Sequence, residues 1–200
     1  MNSPKHIVTA ITLFSLFGLL FSGCTLFDTR EPEPPDAGPG APFLQPDRPE
    51  IVLENLSNAF VAVNLQNYLR SINEKDFRYS PTVTAQNENP ELWGTWSIED
   101  EEAYFNNLSS ASQSGTNHSL TFSDVDTEIV SSSVQQITAT YNLTVNHNRN
   151  TQGVPTLAGG QVIFLMTAGE DGLWSISEWT DVSSSGTFSW SDLRAAFVRG

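Results

Sequence analysis

The chain has 200 residues, room for one ordinary domain or a small domain with extensions. Nine Lys and Arg against 23 Asp and Glu leave a formal charge of −14, which argues against a non-specific nucleic-acid binder, because that needs a basic face to displace phosphate counterions. A hydrophobic share of 38%, with five Trp and twelve Phe, can supply a core, while the single cysteine excludes an intrachain disulfide and a thiolate zinc cage.

Residues 1–24 read MNSPKHIVTAITLFSLFGLLFSGC. Lys5 precedes an uncharged apolar run from Ile7 to Phe21. That run is shorter than the roughly 20 apolar residues of a membrane span and suits the central region of a signal peptide. Small residues Ser22 and Gly23 follow, then the sole cysteine, Cys24. Leu20-Phe21-Ser22-Gly23-Cys24 resembles the lipobox of bacterial lipoproteins, with Phe21 where that motif usually has Leu. The resemblance implies cleavage between Gly23 and Cys24 and a diacylglycerol, with palmitate, on the Cys24 thiol. Each buried acyl CH₂ contributes about 0.8 kcal/mol, so several chains hold a soluble domain on a bilayer. Thr25 is not the Asp that retains enterobacterial lipoproteins in the inner membrane, which favours the outer membrane of the cell envelope if the host has one.

Seven of the eleven prolines fall within residues 31–49, EPEPPDAGPGAPFLQPDRP. Proline fixes φ and lacks an amide donor, so this stretch reads as an extended tether. The spacing of Pro32 and Pro35 also fits a weak PxxP docking pattern. Without residues 1–23, eight basic and 23 acidic residues remain, a charge of −15. An anionic surface repels such a domain, so the lipid is expected to do the anchoring. The expected organisation is a signal peptide at 1–23, a lipidated tether at 24–50 and one domain at 51–200.

Within that domain Leu53, Leu56, Phe60 and Val63 recur at helical spacing, then Leu65, Leu69 and Ile72, with a break expected at Asn64. Phe77 to Ser80 reads as a short strand stopped by Pro81, and residues 82–95 read as irregular. Ser97 is placed to cap a helix whose first turn carries Glu99, Asp100, Glu101 and Glu102, where the helix dipole favours acids. Leu120 and Phe122 alternate. Ile137, Ala139, Tyr141, Leu143 and Val145 give the cleanest period of two. Gln161 to Thr167 suits a central strand, and Gly169 to Gly172 a hairpin turn. On the returning strand Trp174 and Ile176 share a face, with Trp179 on the other unless a bulge intervenes. Ser189 to Phe197 closes as a helix bearing Trp190, Leu193 and Phe197.

This order, with Ala59-Phe60 through Asp76-Phe77 and the W-x-I-x-x-W-x-D strand of residues 174–181, resembles the nuclear transport factor 2-like (NTF2-like, SnoaL-like or cystatin-like) fold. The resemblance implies an α+β cone, a curved antiparallel sheet wrapped on N-terminal helices. Enzymes resembling ketosteroid isomerase, scytalone dehydratase and limonene epoxide hydrolase use that fold, with Asp, His or Tyr projecting into the cone. No catalytic residue carries over to this sequence.

The remaining chemistry is sparse. His118 and His147 are expected at the surface. Asp124, Asp126 and Glu128 have the i, i+2, i+4 spacing of a calcium loop but lack its Gly and distal Glu. Solvated edge charges are the expected role. Gly159-Gly160 lacks the Lys and helix start of a phosphate loop, so neither a cofactor nor a metal is expected. Tyr68, Trp93, Trp96 and Tyr104 are the pocket candidates, to line the mouth if the cone is open; otherwise they are core. The leading expectation is a membrane-anchored lipoprotein without catalysis, binding an envelope protein or a small apolar ligand. An envelope enzyme and a structural accessory with a filled cone stand as alternatives. Buried convergent acids, His or Tyr favour the enzyme; an apolar or filled cone favours binding or scaffolding.

Overall fold

A computed structural model describes residues 42–113 and 117–199. Cys24, Gly23 and the signal sequence lie outside the described residues. So does the tether up to residue 41.

The described chain begins as an extended strap that is fastened to the domain. The backbone N–H of Leu44 donates to Asn55 Oδ1 at 2.8 Å, and Asn55 Nδ2 returns a bond to Leu44 O at 2.7 Å. Trp174 N donates to Pro46 O at 2.8 Å. Helix α1 (Pro49–Ala62) therefore starts within the stretch read as tether, with Pro49 at its first turn, where the missing amide costs nothing. It ends at Val63, whose φ of 50° is a strained value for a β-branched residue. Asn64 then caps α2 (Leu65–Arg70) by accepting from Asn67 N, so the expected break is present.

Strand β1 (Arg78–Ser80) follows. The segment read as irregular forms two short helices, α3 (Val83–Glu88) and α4 (Pro90–Trp93). Their signals are local: Thr82 Oγ1 accepts from Ala85 N, and Pro90 opens the second. Helix α5 (Ile98–Ala111) has a reciprocal capping box between Ser97 and Asp100.

Four long strands complete the sheet: β2 (Ser119–Ser131), β3 (Val134–Thr144), β4 (Leu157–Ala168) and β5 (Trp174–Ser183). Their order is β1-β5-β4-β3-β2. The long strands pair antiparallel, and the short β1 runs parallel to β5, so the sheet is mixed. Helix α6 (Trp190–Arg199) follows β5, with a Ser189–Asp192 cap.

A bulge decides the last strand. Leu165 pairs with Glu178 and Met166 with Ile176, leaving Ser177 as the extra residue. Trp174, Ile176, Trp179 and Asp181 all become buried. Among the described residues no helix is long and apolar enough to cross a membrane.

Candidate functional site

The interior of the curved sheet is filled by side chains of the helices and of the strands themselves. Trp179, Trp190, Arg194, Tyr68, Tyr104 and Tyr141 are among the largest fully buried groups. Trp190 stands edge-on to Trp179 with centroids 4.5 Å apart, and Phe60 edge-on to Trp190 at 5.3 Å. Arg194 comes from α6 into this aromatic box, its guanidinium carbon 4.1 Å from the Trp179 ring centre and 4.3 Å from that of Tyr79.

The charge of Arg194 is met by Glu101 of α5. Arg194 Nε donates to Glu101 Oε1 at 2.8 Å, with neither side chain exposed to solvent. Trp96 Nε1 donates to the same oxygen at 2.8 Å, and the Tyr68 hydroxyl to Oε2 at 2.5 Å. The other guanidinium nitrogens donate to the hydroxyls of Tyr79 and Tyr68, each at 3.3 Å. Burial by itself would lower the Arg194 pKa, but the Glu101 charge and the surrounding phenols outweigh it and hold it well above the usual value. Burial, reinforced by the Glu101 charge, raises the Tyr68 phenol.

A second buried carboxylate, Asp181, comes from β5. Asp181 Oδ2 accepts from the backbone N–H and the hydroxyl of Ser191, at 2.7 and 2.6 Å. Its Oδ1 accepts from Tyr141 at 2.9 Å. Tyr141 in turn accepts from Trp190 N at 2.7 Å. Burial raises the Asp181 pKa, and the Ser191 bonds oppose that rise. Tyr79 joins the two halves, 2.7 Å from Ser191 Oγ and bonded to Arg194. Gly160 makes room for Tyr141: a Cβ there would stand 2.9 Å from its hydroxyl and 2.5 Å from Val182 O. The donors and acceptors of this network are directed at one another, as a buried polar cluster requires. The indole Nε1 of Trp179 is an exception, buried with no partner.

Three of the four pocket candidates meet here. Tyr68 and Trp96 hold Glu101, while Tyr104 accepts from Trp190 Nε1 at 3.1 Å. Trp93 lies beside Trp96, centroids 4.8 Å apart, and donates to Ala85 O. All four are buried. None lines either of two open clefts. One, of about 670 Å³, is walled by Phe43, Arg70, Lys75, Asp171 and Trp174. The other, of about 410 Å³, lies among Leu143, Leu157, Gly159 and Phe188.

The acidic first turn of α5 holds a group that sequence reasoning missed. Glu101 belongs to the apolar stripe of Tyr104, Phe105 and Leu108, and Arg194 falls four residues after Trp190 on the apolar side of α6. A charge on each buried stripe was the available signal. The two histidines also depart from expectation: each is only 3% exposed. His147 Nδ1 accepts from Arg149 N and its Nε2 lies 3.1 Å from Pro155 O, so it braces the β3–β4 loop. His118 Nδ1 accepts from Asn146 N. Asp124, Asp126 and Glu128 are exposed on β2, and among the described residues no three His, Cys, Asp or Glu side chains are grouped to hold a metal.

The helix pair inside a curved five-stranded sheet, closed by α6, is the NTF2-like cone. No protein-family model and no curated protein matches the sequence. The chain is similar in structure to a candidate aromatic ring hydroxylase from Novosphingobium aromaticivorans, with TM-score 0.56 and 12% identity over 72% of this chain and 92% of that one. A candidate scytalone dehydratase from the same organism gives TM-score 0.52 at 13% identity, covering 66% and 78%. A candidate calcium/calmodulin dependent protein kinase II association domain from Xanthomonas campestris gives 0.51 at 14%, covering 69% and 86%. At these identities the likeness is one of fold, and fold alone does not fix activity.

Proposed function

We propose that this chain is a bacterial lipoprotein whose NTF2-like domain holds a protein partner at a membrane of the cell envelope without catalysing a reaction. The observation that carries this reading is the filled cone. The space in which enzymes of this fold seat a substrate is taken by Arg194, Trp190 and the tyrosines, whose polar atoms bond to each other. A small apolar ligand inside the cone would have to displace that network. On this reading Cys24, exposed by removal of the leader at 1–23, supplies the anchor, and the proline-rich tether supplies the reach.

The test is native pull-down of the full chain from membranes, with mass spectrometry of co-purifying proteins and small molecules. A stoichiometric protein partner is expected, and Cys24→Ser should release the protein from the membrane fraction. Recovery of the chain alone overturns partner holding; membrane retention and palmitate labelling of the Cys24→Ser variant overturn the anchor.

One observation favours a second reading. Asp181, Tyr79 and Tyr141 converge as acid–base groups do in enzymes, and one structural neighbour is a candidate scytalone dehydratase. An enzyme would need α6 to move aside. This reading predicts dehydration of a hydroxy-aromatic substrate that Tyr141→Phe abolishes while the near-ultraviolet circular dichroism stays native. Absence of turnover, or turnover unaffected by Tyr141→Phe, removes it.

A further inference from the structure

Strand β2 forms one margin of the sheet, with β3 on one side and, among the described residues, no strand on the other. Along such a margin about half of the backbone N–H and C=O groups face outward, ready to pair with another extended chain. The outer half is also free of the core: every residue from Ser123 to Ser133 is exposed. Three of them are apolar, Val125 at 46%, Ile129 at 74% and Val130 at 58% exposed. Exposing that much aliphatic surface on an open edge invites association.

Charge selects the partner. Asp126 and Glu128 lie on one face of β2, opposite Thr138 and Gln136 of β3, while Thr127 and Ile129 lie on the other, opposite Ile137 and Gln135. The hairpin from Ser119 to Thr144 contains no Lys or Arg to answer the carboxylates. A second copy of this chain pairing antiparallel about Asp126 would set Asp126 against itself and Asp124 against Glu128. Like charges directly opposite are destabilising. The bulge at Asp124, where φ is 50°, interrupts the edge on the core side, and a second register shift falls between Ile129 and Ser131, so the regular stretch is the one that carries Asp126, Glu128 and Ile129. An extended segment that alternates basic with apolar residues meets both faces, its cations beside Asp126 and Glu128 and its apolar side chains beside Ile129.

We propose that the outer edge of β2, from Asp124 to Ser131, docks such a basic–apolar segment of a partner protein as an added strand. This rests on the partner-holding reading above and gives that partner its chemistry.

The probe is an acetylated, amidated octapeptide of alternating Lys and Val, with its Glu–Val counterpart as control. It is added to the full chain while amide hydrogen exchange is followed by mass spectrometry. The Lys–Val peptide should slow exchange at least tenfold across residues 124–131, and the Glu–Val peptide should not. The double variant Asp126→Asn, Glu128→Gln should weaken peptide binding at least tenfold, and Ile129→Thr should weaken it by a similar factor, while both variants keep the wild-type melting temperature. Protection confined to another segment, equal protection by both peptides, or protection that rises with protein concentration in the absence of peptide overturns the proposal, the last by showing a second copy as the occupant. In the membrane pull-down, a partner retained by the double variant removes this edge and leaves partner holding intact, whereas no partner with the wild-type chain removes both.

Discussion

Glu101 and Arg194 are 93 positions apart and meet at 2.8 Å with no exposure to water. Each ion left alone in that interior would be uncompensated, and breaking a buried pair costs about 3–5 kcal/mol. Glu101→Leu and Arg194→Met should each lower unfolding free energy by about that amount, measured by urea denaturation. The double variant should be less destabilised than either single one, because no orphan charge remains; equal or additive losses would contradict this coupling. The same pair shows where sequence reading stops. Glu99, Asp100, Glu101 and Glu102 form one acidic run, and the capping account is correct for Asp100. Its place on the stripe of Tyr104, Phe105 and Leu108 sets Glu101 apart from its neighbours, but only the fold brings Arg194 of α6 to answer it. Asp181 was legible as part of the W-x-I-x-x-W-x-D strand, but its partner Ser191 was hidden, because a serine at a helix start usually signals a cap and nothing more.

At the scale of elements, alternation carried most of the strand assignments. Ile137, Ala139, Tyr141 and Leu143 are buried on β3 as their spacing requires. Strand β5 was harder, since Ile176 and Trp179 are three apart and simple alternation puts them on opposite faces. The bulge at Ser177 resolves this by turning the strand once. Its hydroxyl donates to Leu165 O at 3.0 Å and accepts from Thr167 Oγ1 at 2.7 Å. Ser177→Ala should keep the fold and cost about 1 kcal/mol, the value of an ordinary internal hydrogen bond. Deletion of Ser177 places Trp179 two residues after Ile176, so plain alternation keeps Trp179 and Asp181 on the inward face. The deletion variant should therefore retain a cooperative thermal transition and the near-ultraviolet signal of the buried tryptophans. Loss of both would show that the bend made by the bulge is itself required for closing the interior.

For the whole molecule, the interior sets the response to pH. The chain has four tyrosines, and all four phenols lie in this network. Burial is the leading cause that raises each above the ordinary value of 10.0. The folded state therefore holds these protons more tightly than the unfolded chain does. The stability they contribute is complete below about pH 10, the unfolded tyrosine value, and falls as pH climbs from there toward the folded values. Tyrosinate absorbance should stay absent near pH 10 and then appear in one step together with loss of tryptophan circular dichroism. Gradual tyrosine titration in a folded chain would mean that the cone is open to water. His118 acts at the other end with the opposite sign. Burial, and next the nearby His147, lowers its pKa below 6.5, so its contribution is present above pH 6.5 and declines as pH falls through the folded value.

Helix α6 brings Trp190, Ser191 and Arg194 to the interior from the last described helix. During synthesis the sheet and α5 leave the ribosome before it. Glu101 and Asp181 then wait without the cation and the serine that answer them, in a hollow that water still reaches. The domain consequently finishes folding only after residues 190–199 have been made.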